Sequence, residues 1–489
     1  MADLQTSRTG NDAIKLTASK VIVMLVSLVS SMLLSRFRTL IEYGTYSQIL
    51  MVINLVCSLL MLGLPNSINY FLAKAQDQNE KNKFLSVYYA LNTLLSFVIG
   101  LVLVLTIPLI EGFFKNELIR SFWFFLALYP WTKIIMSSIE NFLIVYQKTT
   151  MLIIYRVANS IALLGAILIV QAFHGDFMQY MLLFLATEIV FTVWTYILVK
   201  QSSPAFKLGF DKKLILTIFK FSIPIGLAST VGTLNIELGK LVITSFLSTE
   251  DLAVYTNASK ELPVTIIATS MTAVLMPKIV RLLQHEKKEE AIHLWNSATA
   301  ISFAFLCIIA VGCFVFAPEV VTILYSEKYL GGVGVFRIYC LVLLFRCTYF
   351  GMMLNATGTT KPVFYSSVGS LLLNISLSYV CFFIFGFIGP AVATLLSTVT
   401  MALYQLIYTC KKLNIRFRSI FPWKQCGIYL VINAVLGVAF YSAKVFLCKI
   451  TAINPLLIAI CMGCVWAAVF AIIIFRSIKN QWYFLNKER

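Results

Sequence analysis

Fourteen long apolar segments follow one another along the chain, separated by short polar loops. Taking about 20 apolar residues as one membrane span, the segments are residues 14–35, 44–64, 84–108, 119–143, 151–172, 178–199, 216–245, 252–277, 294–316, 333–356, 362–385, 388–409, 426–447 and 453–475. Each segment is predicted to cross a bilayer as a helix, because a helix satisfies its own backbone hydrogen bonds in lipid. The predicted fold class is therefore an all-α polytopic membrane protein.

The segment 216–245 carries a stripe of small, hydroxyl and charged residues. Its members are Ser222, Gly226, Ser229, Thr233, Glu237, Lys240 and Thr244. Steps of three and four residues place them on one face of a helix. A charged residue that faces lipid at mid-depth costs about 2.5–3.5 kcal/mol, so the stripe is predicted to face protein or a water-filled cavity. In the alternative interpretation, Glu237 and Lys240 only neutralise each other at i and i+3.

The two halves of the chain repeat each other with an almost constant offset. A shift of 209 residues matches Glu42 with Asp251 and Tyr46 with Tyr255, and a shift of 210 matches Tyr155 with Tyr365. The predicted organisation is an N-terminal six-helix bundle at 1–200, a cytoplasmic linker at 201–215, a C-terminal six-helix bundle at 216–411, and two additional helices with a cytoplasmic tail at 412–489. Two bundles repeated in the same orientation are typical of transporters that work by alternating access.

Composition and charge narrow the class further. Hydrophobic residues make up 60% of the 489 residues and charged residues 12%, which excludes an ordinary soluble protein. The net charge of +18 does not indicate a nucleic-acid partner, because the basic residues sit in short loops between apolar segments. Of the 39 lysines and arginines, 25 fall in one set of alternate loops and the terminal regions, and 7 in the opposite loops. Both termini are therefore predicted to be cytoplasmic, and no removable signal peptide is expected.

Residues for catalysis or metal binding are sparse. The 11 cysteines are scattered, and the pair Cys461 and Cys464 has neither a second pair nor a nearby histidine. No nucleophile motif, glycine-rich phosphate loop or zinc spacing is visible. A membrane polymerase or acyltransferase would need catalytic carboxylates or histidine at one membrane face, and the short outer loops offer only scattered acids. The sequence therefore predicts that the protein is not an enzyme and has no cofactor.

Four stretches resemble polysaccharide flippases, which move O-antigen and capsule repeat units, of the multidrug/oligosaccharidyl-lipid/polysaccharide (MOP) superfamily. They are residues 42–75, 221–263, 324–345 and 355–362, the last of which reads NATGTTKP. The resemblance implies the flippase fold, with the first, second, seventh and eighth spans lining a central cavity. Superfamily members often carry an acidic residue directly before the basic residue of the seventh span, where this chain has Gly239.

The same resemblance implies a substrate and a cellular setting. The substrate is an undecaprenyl-diphosphate-linked oligosaccharide, moved from the cytoplasmic to the outer face of a bacterial inner membrane for O-antigen, capsule or exopolysaccharide synthesis. The implied partners are membrane lipids and the polysaccharide polymerase and glycosyltransferases of the same pathway. The protein itself is expected to be a monomer.

A diphosphate that crosses the hydrocarbon core requires fixed positive charge in a water-accessible cleft. The candidates are Lys240, Lys260, Arg346, Lys133 and Arg36. Lys240 is the first choice because it lies on the polar stripe. Arg36 is equally well explained as an anchor at the membrane interface, and Lys133 as an ion-pair partner of Glu140.

Acidic residues in the spans suggest how transport could be driven. Glu237 and Glu261 are candidates for binding H+ or Na+, although simple charge compensation is the alternative. Seven basic and four acidic residues lie inside the spans when Lys15, Lys20, Arg120 and Lys444 are counted with the N-terminal region and the outer loops, and this balance favours an anionic substrate. A cation-coupled multidrug exporter of the same superfamily is the second hypothesis. Outside the spans, the segment 278–298 is predicted to be either an amphipathic helix at the cytoplasmic surface or a solvated linker.

Overall fold

The structure, a computed structural model, describes residues 2–61, 63–451 and 453–487. Up to the polar stripe the helices are α1 (Ala2–Phe37), α2 (Leu40–Leu60), α3 (Leu64–Lys74), α4 (Gln78–Leu105), α5 (Ile107–Phe114), α6 (Leu118–Ser121), α7 (Trp123–Ser137), α8 (Ile139–Val145), α9 (Thr149–Ala172), α10 (Phe177–Ser202) and α11 (Lys212–Phe246). They continue as α12 (Thr249–Ala258), α13 (Ile266–Gln284), α14 (Lys288–Val315), α15 (Ala317–Tyr325), α16 (Val333–Leu344), α17 (Met352–Ala356), α18 (Lys361–Phe385), α19 (Gly389–Leu413), α20 (Phe417–Ile420), α21 (Trp423–Ile450) and α22 (Pro455–Lys487). Every regular element in these ranges is helical, which confirms the all-α prediction.

The number of membrane spans differs from the prediction. Eleven segments of the described chain are helical, long and apolar enough to cross a membrane, so the count of fourteen is not confirmed. Residues 361–413 form one such segment, although a 3-10 turn at Gly386–Ile388 separates α18 from α19. The predicted spans 119–143 and 333–356 are each divided into shorter helices and are not among the eleven.

Large apolar side chains cover much of the outer surface. Leu105 is 70% exposed, Phe383 is 74% exposed and Ile472 is 76% exposed, and each lies on a long apolar helix. Exposure of this kind is unfavourable in water but matches the hydrocarbon of a bilayer. The protein is therefore a membrane protein.

The chain forms two compact units. The first runs up to Glu237 and includes Thr244–Ala253, and the second comprises Leu238–Ile243 and the chain from Val254 onward. The change from one unit to the other thus falls within α11 and α12, whereas the sequence suggests a linker at 201–215. The division into two six-helix bundles and two additional helices stays a prediction.

Helix boundaries recur in the two halves of the chain. α4 begins at Gln78 and α14 at Lys288, 210 residues later, and both helices are 28 residues long. α5 and α15 also begin 210 residues apart, as do α7 and α16. The offset that aligned a few identical residues therefore also aligns helix starts.

The repeat extends to a local hydrogen-bonding motif. At the start of α2, the backbone N–H of Glu42 donates to Thr39 Oγ1 at 3.2 Å, and the N–H of Thr39 donates to Glu42 Oε2 at 2.8 Å. Ser248 and Asp251 make the same reciprocal pair ahead of α12, with both distances 3.1 Å. Such a capping box satisfies N–H groups that the first helical turn leaves unpaired. This explains why an acid occupies both positions.

Two predicted spans contain non-helical breaks. α12 ends at Ala258 and the chain resumes as a 3-10 turn at Pro263–Thr265, which leaves residues 259–262 outside any helix. Proline lacks a backbone N–H and disfavours helical geometry in the residue before it, which accounts for a break at this point. Residues 345–351, between α16 and α17, are likewise not helical. The expectation of continuous helices over 252–277 and 333–356 was wrong.

The segment 278–298 does not form a separate surface element. It contains the end of α13 at Gln284, a tight turn, and the beginning of α14 at Lys288. Glu286 in the turn has a φ of 59°, which reverses the chain abruptly. The amphipathic pattern instead comes from the polar ends of two long helices. Neither a single amphipathic helix nor a linker spans the whole of 278–298.

The last long helices, α21 and α22, pack against α14 of the second unit. Trp466 donates its indole N–H to Asn433 Oδ1 at 3.2 Å, and its ring stacks on Phe440 with the centroids 5.9 Å apart. Lys444 forms an ion pair with Glu319 in which the side chains are only 11% and 14% exposed. These contacts tie both helices to the core of the second unit.

Candidate substrate-binding site

An ion pair joins the two helix breaks of the second unit. Arg346 lies in the break after α16, and Glu261 lies in the break after α12. Both Nε and Nη2 of Arg346 donate to Glu261 Oε1, at 3.0 and 2.6 Å. The side chains are 38% and 42% exposed, so the pair is accessible to solvent or ligand. The sequence placed these residues on separate continuous helices and did not pair them.

A recess surrounds this ion pair. The recess is small and partly open to solvent, and its lining includes Lys260, Glu261, Phe336, Tyr339 and Arg346. Aromatic and aliphatic walls with a few charged groups are typical of ligand-binding recesses. Non-helical backbone at membrane depth is tolerated where it is buried in protein or lines a cavity. The two helix breaks and the recess that they border are therefore treated as one candidate binding site.

Lys240 adds a third cation to this neighbourhood. It lies on α11, in the stretch that belongs to the second unit, close enough to Lys260 for the two positive charges to repel each other, although it does not line the recess itself. Its side chain is partly exposed. Three of the five predicted cations, Lys240, Lys260 and Arg346, thus belong to one unit, with Glu261 as the carboxylate among them.

Gly239 explains one departure from the superfamily pattern. A β-carbon at this position would lie 2.5 Å from the hydroxyl oxygen of Tyr255, so no side chain fits there without displacing the tyrosine. Tyr255 is itself buried, with 1% exposure. The acidic residue that superfamily members often carry before the basic residue is excluded by packing.

A second polar cluster lies in the first unit. Lys133 of α7 donates to Asn54 Oδ1, and Asn54 of α2 donates through Nδ2 to Glu237 Oε1 at 3.0 Å. Glu237 is 4% exposed, and Lys133 is partly buried. Asn54 therefore bridges two opposite charges from different helices. Sequence reasoning missed Asn54, whose only signal is an amide in the middle of an apolar segment.

The predicted pairing of Lys133 with Glu140 was wrong. Glu140 instead forms ion pairs with Arg156 and, at 3.4 Å, with Lys20. Positions 133 and 140 share a helix face in an unbroken helix, but α7 ends at Ser137 and α8 begins at Ile139. Arg156 of α9 supplies the nearer positive charge.

Arg36 is not brought together with the cations of the second unit. It lies exposed in the last turn of α1, within the first unit. Its neighbour Arg38 is 8% exposed and donates from Nη1 to the carbonyl oxygen of Gly175 at 3.0 Å. Arg38 therefore fixes a loop, while the role of Arg36 in substrate binding stays a prediction.

The residues that the structure describes do not form a metal-binding cluster. Among them, no group of three or more histidine, cysteine, aspartate or glutamate side chains is placed to hold a metal ion. Cys461 and Cys464 are both exposed free thiols on α22.

Two uncharacterized membrane proteins of Methanocaldococcus jannaschii are similar in sequence. One is 22% identical over 352 residues, covering 67% of this chain and 68% of the relative. The other is 24% identical over 360 residues, covering 70% and 83% respectively. These relatives extend the membrane assignment.

Solved structures share the fold. The lipid II flippase MurJ, in an inward closed conformation, matches with a TM-score of 0.77 and 17% identity, covering 95% of this chain and 99% of that one. A multidrug resistance MATE family transporter of the MOP superfamily, in its inward-facing conformation, matches with a TM-score of 0.64 and 14% identity, covering 82% and 99%. A mutant of the Vibrio cholerae MATE transporter VcmN gives a TM-score of 0.58 and 16% identity, covering 83% and 98%.

A sequence profile of a family described as polysaccharide biosynthesis proteins matches residues 33–333, more than half of the chain. The match includes α11 and the break that contains Lys260 and Glu261. Together with the shared fold, it confirms the resemblance drawn from the sequence. The chain belongs to the polysaccharide biosynthesis protein family and has the fold of MOP superfamily flippases and transporters.

Proposed function

We propose that this protein flips an undecaprenyl-diphosphate-linked oligosaccharide from the cytoplasmic to the outer face of a bacterial inner membrane by alternating access. The observation that carries the proposal is the excess of positive charge in and near the recess of the second unit. Lys260 and Arg346 line the recess together with Glu261, and Lys240 lies close enough to repel Lys260. Membership in a polysaccharide biosynthesis family and the fold shared with a lipid II flippase support it.

The three cations suit a diphosphate in different ways. The guanidinium of Arg346 can grip two phosphate oxygens at once, whereas lysine acts as a mobile point charge that releases an anion more readily. A transporter needs both, because its substrate must bind and then leave. A site built around charge also explains how one protein could carry oligosaccharides that share only their lipid diphosphate.

Ion coupling, by H+ or Na+, is proposed at Glu237 rather than at Glu261. Glu237 is a buried carboxylate that accepts a hydrogen bond from Asn54 and is linked to Lys133 through that amide, whereas Glu261 forms a direct ion pair with Arg346. Glu237→Gln should abolish the dependence of transport on an ion gradient. Unchanged gradient dependence in a normally folded variant would remove Glu237 from this role.

A cation-coupled multidrug exporter is the second candidate function. It is favoured by the MATE transporter fold and by Glu188, a carboxylate that is 6% exposed and accepts a hydrogen bond from Asn159 at 3.1 Å. An exporter of this kind should confer drug resistance when it is expressed in a sensitive strain. The flippase proposal predicts no such resistance.

The decisive experiment is mass spectrometry of undecaprenyl-linked lipids from cells with and without this protein. A glycosidase added outside spheroplasts then reports on which face the sugar lies. The proposal predicts that a complete lipid-linked oligosaccharide accumulates without the protein and stays protected from the enzyme. Absence of such a lipid, or its exposure on the outside, would contradict the flippase function.

Two lysines of α11 provide a matched pair of variants for the same assay. Lys240→Gln should reproduce the accumulation seen without the protein, because it removes a positive charge close to Lys260. Lys220→Gln removes the same charge from an exposed position on the same helix and should leave the lipid pool normal. Equal effects of the two substitutions would argue against a specific role for Lys240.

A further inference from the structure

We infer that the connection between α19 and α21 binds the headgroup of an anionic phospholipid. Residues 414–424 make up this basic connection. α19 closes one segment that is long and apolar enough to cross a membrane, and α21 is another such segment. The basic connection therefore lies at a membrane face, which the charge distribution predicts to be the cytoplasmic one. None of its residues lines the recess, so this site is separate from the one proposed for the transported substrate.

Buried side chains fix the basic connection to the second unit. Ile420 is fully buried and Phe421 is 7% exposed. The ring of Phe421 stacks on Phe350 with the centroids 5.8 Å apart. From α14, Asn296 donates through Nδ2 to the carbonyl oxygen of Ser419 at 3.0 Å. The side chains that point outward are therefore carried on a backbone that is held in place.

Two aromatic rings lie on the outer side of the basic connection. Phe417 and Trp423 are each 40% exposed, and their ring centroids are 5.2 Å apart. The indole N–H of Trp423 donates to the carbonyl oxygen of Phe417 at 3.2 Å, which joins the two ends of the connection. Exposed tryptophan is enriched at the level of the lipid headgroups. The aromatic pair therefore indicates that the basic connection touches the headgroup layer.

Three exposed bases surround this aromatic pair. They are Arg416, Arg418 and Lys424, and among the residues that the structure describes none of the three forms an ion pair. The last turn of α19 adds two exposed lysines. Residues 328–487 contain no aspartate or glutamate, so the helices from α18 to α22 offer no carboxylate as a counter-charge. An anion from outside this part of the chain is needed to neutralise the cluster.

The acids at the start of α14 already have basic neighbours. α20 packs against α14, and the stretch that begins α14 carries three glutamates and three bases. The glutamates are Glu286, Glu289 and Glu290, and the bases are Arg281, Lys287 and Lys288. Lys287 pairs with Glu290 at 3.1 Å. This stretch is therefore close to neutral, in contrast to the basic connection.

An apolar face of α21 begins directly below the basic connection. Steps of four and three residues place Lys424 on one helix face with Ile428, Val431, Val435 and Val438. These four apolar side chains are 46%, 63%, 64% and 70% exposed, respectively. From Lys424 to Val438 the face extends about 21 Å along the helix axis. A charged end above an exposed apolar face complements a phospholipid, which has a charged headgroup above its acyl chains.

The charge of the headgroup decides which phospholipid binds best. Arginine can bind two phosphate oxygens at once, and lysine adds a point charge. Phosphatidylglycerol has a phosphate and no cation, whereas the choline of phosphatidylcholine is repelled by three neighbouring bases. A basic residue close to an anionic lipid surface is worth about fivefold in affinity. The basic connection should therefore prefer phosphatidylglycerol.

The test is native mass spectrometry of the full-length protein, titrated with phosphatidylglycerol or phosphatidylcholine of identical acyl chains. The ratio of the two dissociation constants measures the headgroup preference. The wild-type protein should bind phosphatidylglycerol more tightly. The triple variant Arg416→Gln/Arg418→Gln/Lys424→Gln should reduce the ratio at least about tenfold, because it removes three favourable charges.

A matched triple variant removes the same charge from the near-neutral stretch of the same unit. Its substitutions are Arg281→Gln, Lys287→Gln and Lys288→Gln, all at exposed positions. This control should keep the wild-type ratio. An equal loss in the two triple variants, or an unchanged ratio in the first one with a wild-type melting temperature, would overturn the inference.

Two measurements that do not need the triple variants test the position and the nature of the site. Brominated phosphatidylglycerol in nanodiscs should quench a larger fraction of the tryptophan fluorescence of the wild-type protein than of Trp423→Phe, and equal quenching would overturn the position. Displacement of phosphatidylglycerol by an equal concentration of sn-glycerol 3-phosphate would indicate a site for soluble anions and overturn the lipid assignment. Equal binding of the two phospholipids by the wild-type protein would overturn the inference as a whole.

Discussion

The bridge formed by Asn54 predicts that Lys133 and Glu237 stabilise the first unit as a pair rather than separately. Asn54 accepts a hydrogen bond from Lys133 and donates one to Glu237, which is 4% exposed. Removing either charge alone leaves Asn54 with one charged hydrogen-bond partner instead of two. Lys133→Met and Glu237→Gln should therefore each destabilise the protein, and the double variant should lose less stability than the sum of the two.

The size of this coupling follows from the geometry. Two ordinary hydrogen bonds through one amide group separate Lys133 Nζ from Glu237 Oε1 by roughly 6–7 Å. At about 7 Å and an effective dielectric constant of about 20, opposite unit charges attract by about 2.4 kcal/mol. For a unit of about 150–250 residues, 1 kcal/mol shifts the melting temperature by about 2–4 °C. The expected non-additivity is therefore about 5–10 °C.

Thermal unfolding of the purified protein in one detergent measures this coupling. The four proteins of the cycle are compared at one pH and one salt concentration, so that the detergent contribution cancels in the differences. Asn54→Leu provides a further test, because it removes the bridge while leaving both charges in place. In the Asn54→Leu protein, the coupling between Lys133 and Glu237 should differ measurably from its value with Asn54 present.

A second carboxylate of the first unit serves as the control. Glu188 is also buried, at 6% exposure, but its hydrogen-bond donor is Asn159 rather than Asn54. A cycle between Lys133→Met and Glu188→Gln should be additive. Additive effects of Lys133→Met and Glu237→Gln, or equal coupling in the two cycles, would refute the bridge as the source of the stabilisation.

Three more substitutions test separate contacts. Gly44→Ala should lower the melting temperature, because a β-carbon there would overlap the carbonyl oxygen of Thr249. Lys444→Met should destabilise the second unit by about 3–5 kcal/mol, measured by thermal unfolding, because it leaves its carboxylate partner buried without a counter-charge. The hydrogen bond and charge of Lys83 hold the pKa of Asp211 below its ordinary value of 3.8. The stabilisation is therefore present at neutral pH, and the melting difference between wild type and Asp211→Asn should disappear as the pH falls below that value.

The apolar pattern predicted the fold class because lipid leaves the backbone few alternatives. A span of about 20 apolar residues must satisfy its own hydrogen bonds, and a helix does so within one segment. Helices such as α4, α9, α10, α14 and α21 accordingly lie close to their predicted positions. The match of Glu42 with Asp251 in the internal repeat also corresponds to a structural feature, since each carboxylate closes a capping box at the start of a helix.

The helix breaks were harder to predict, because the hydropathy of a segment does not determine its backbone conformation. Pro263 offered a local signal for the break at 259–262, but the same residue type lies inside intact helices at Pro130 and Pro224. The stretch 345–351 remains apolar enough to look like part of a span. Its conformation depends on tertiary contacts, among them the ion pair of Arg346.

Partners between helices were the hardest feature to predict. Spacing along one helix suggested that Lys133 pairs with Glu140, because seven residues return to the same face. The true partner, Asn54, lies 79 positions away in the chain. Single-sequence spacing contains no information about which distant helix lies alongside, so the charged residues could be identified but not connected.

Two charged residues of the polar stripe of α11 interact with residues of other segments. Glu237 has a hydrogen-bond partner outside its own helix in Asn54, and Lys240, three residues later, acts electrostatically on Lys260. Mutual neutralisation of Glu237 and Lys240, which their spacing also allows, stays a prediction. α11 therefore places an acid in the polar cluster of the first unit and a base near Lys260 in the second. At both positions the stripe meets polar neighbours rather than lipid alone, as the cost of placing charge in hydrocarbon requires.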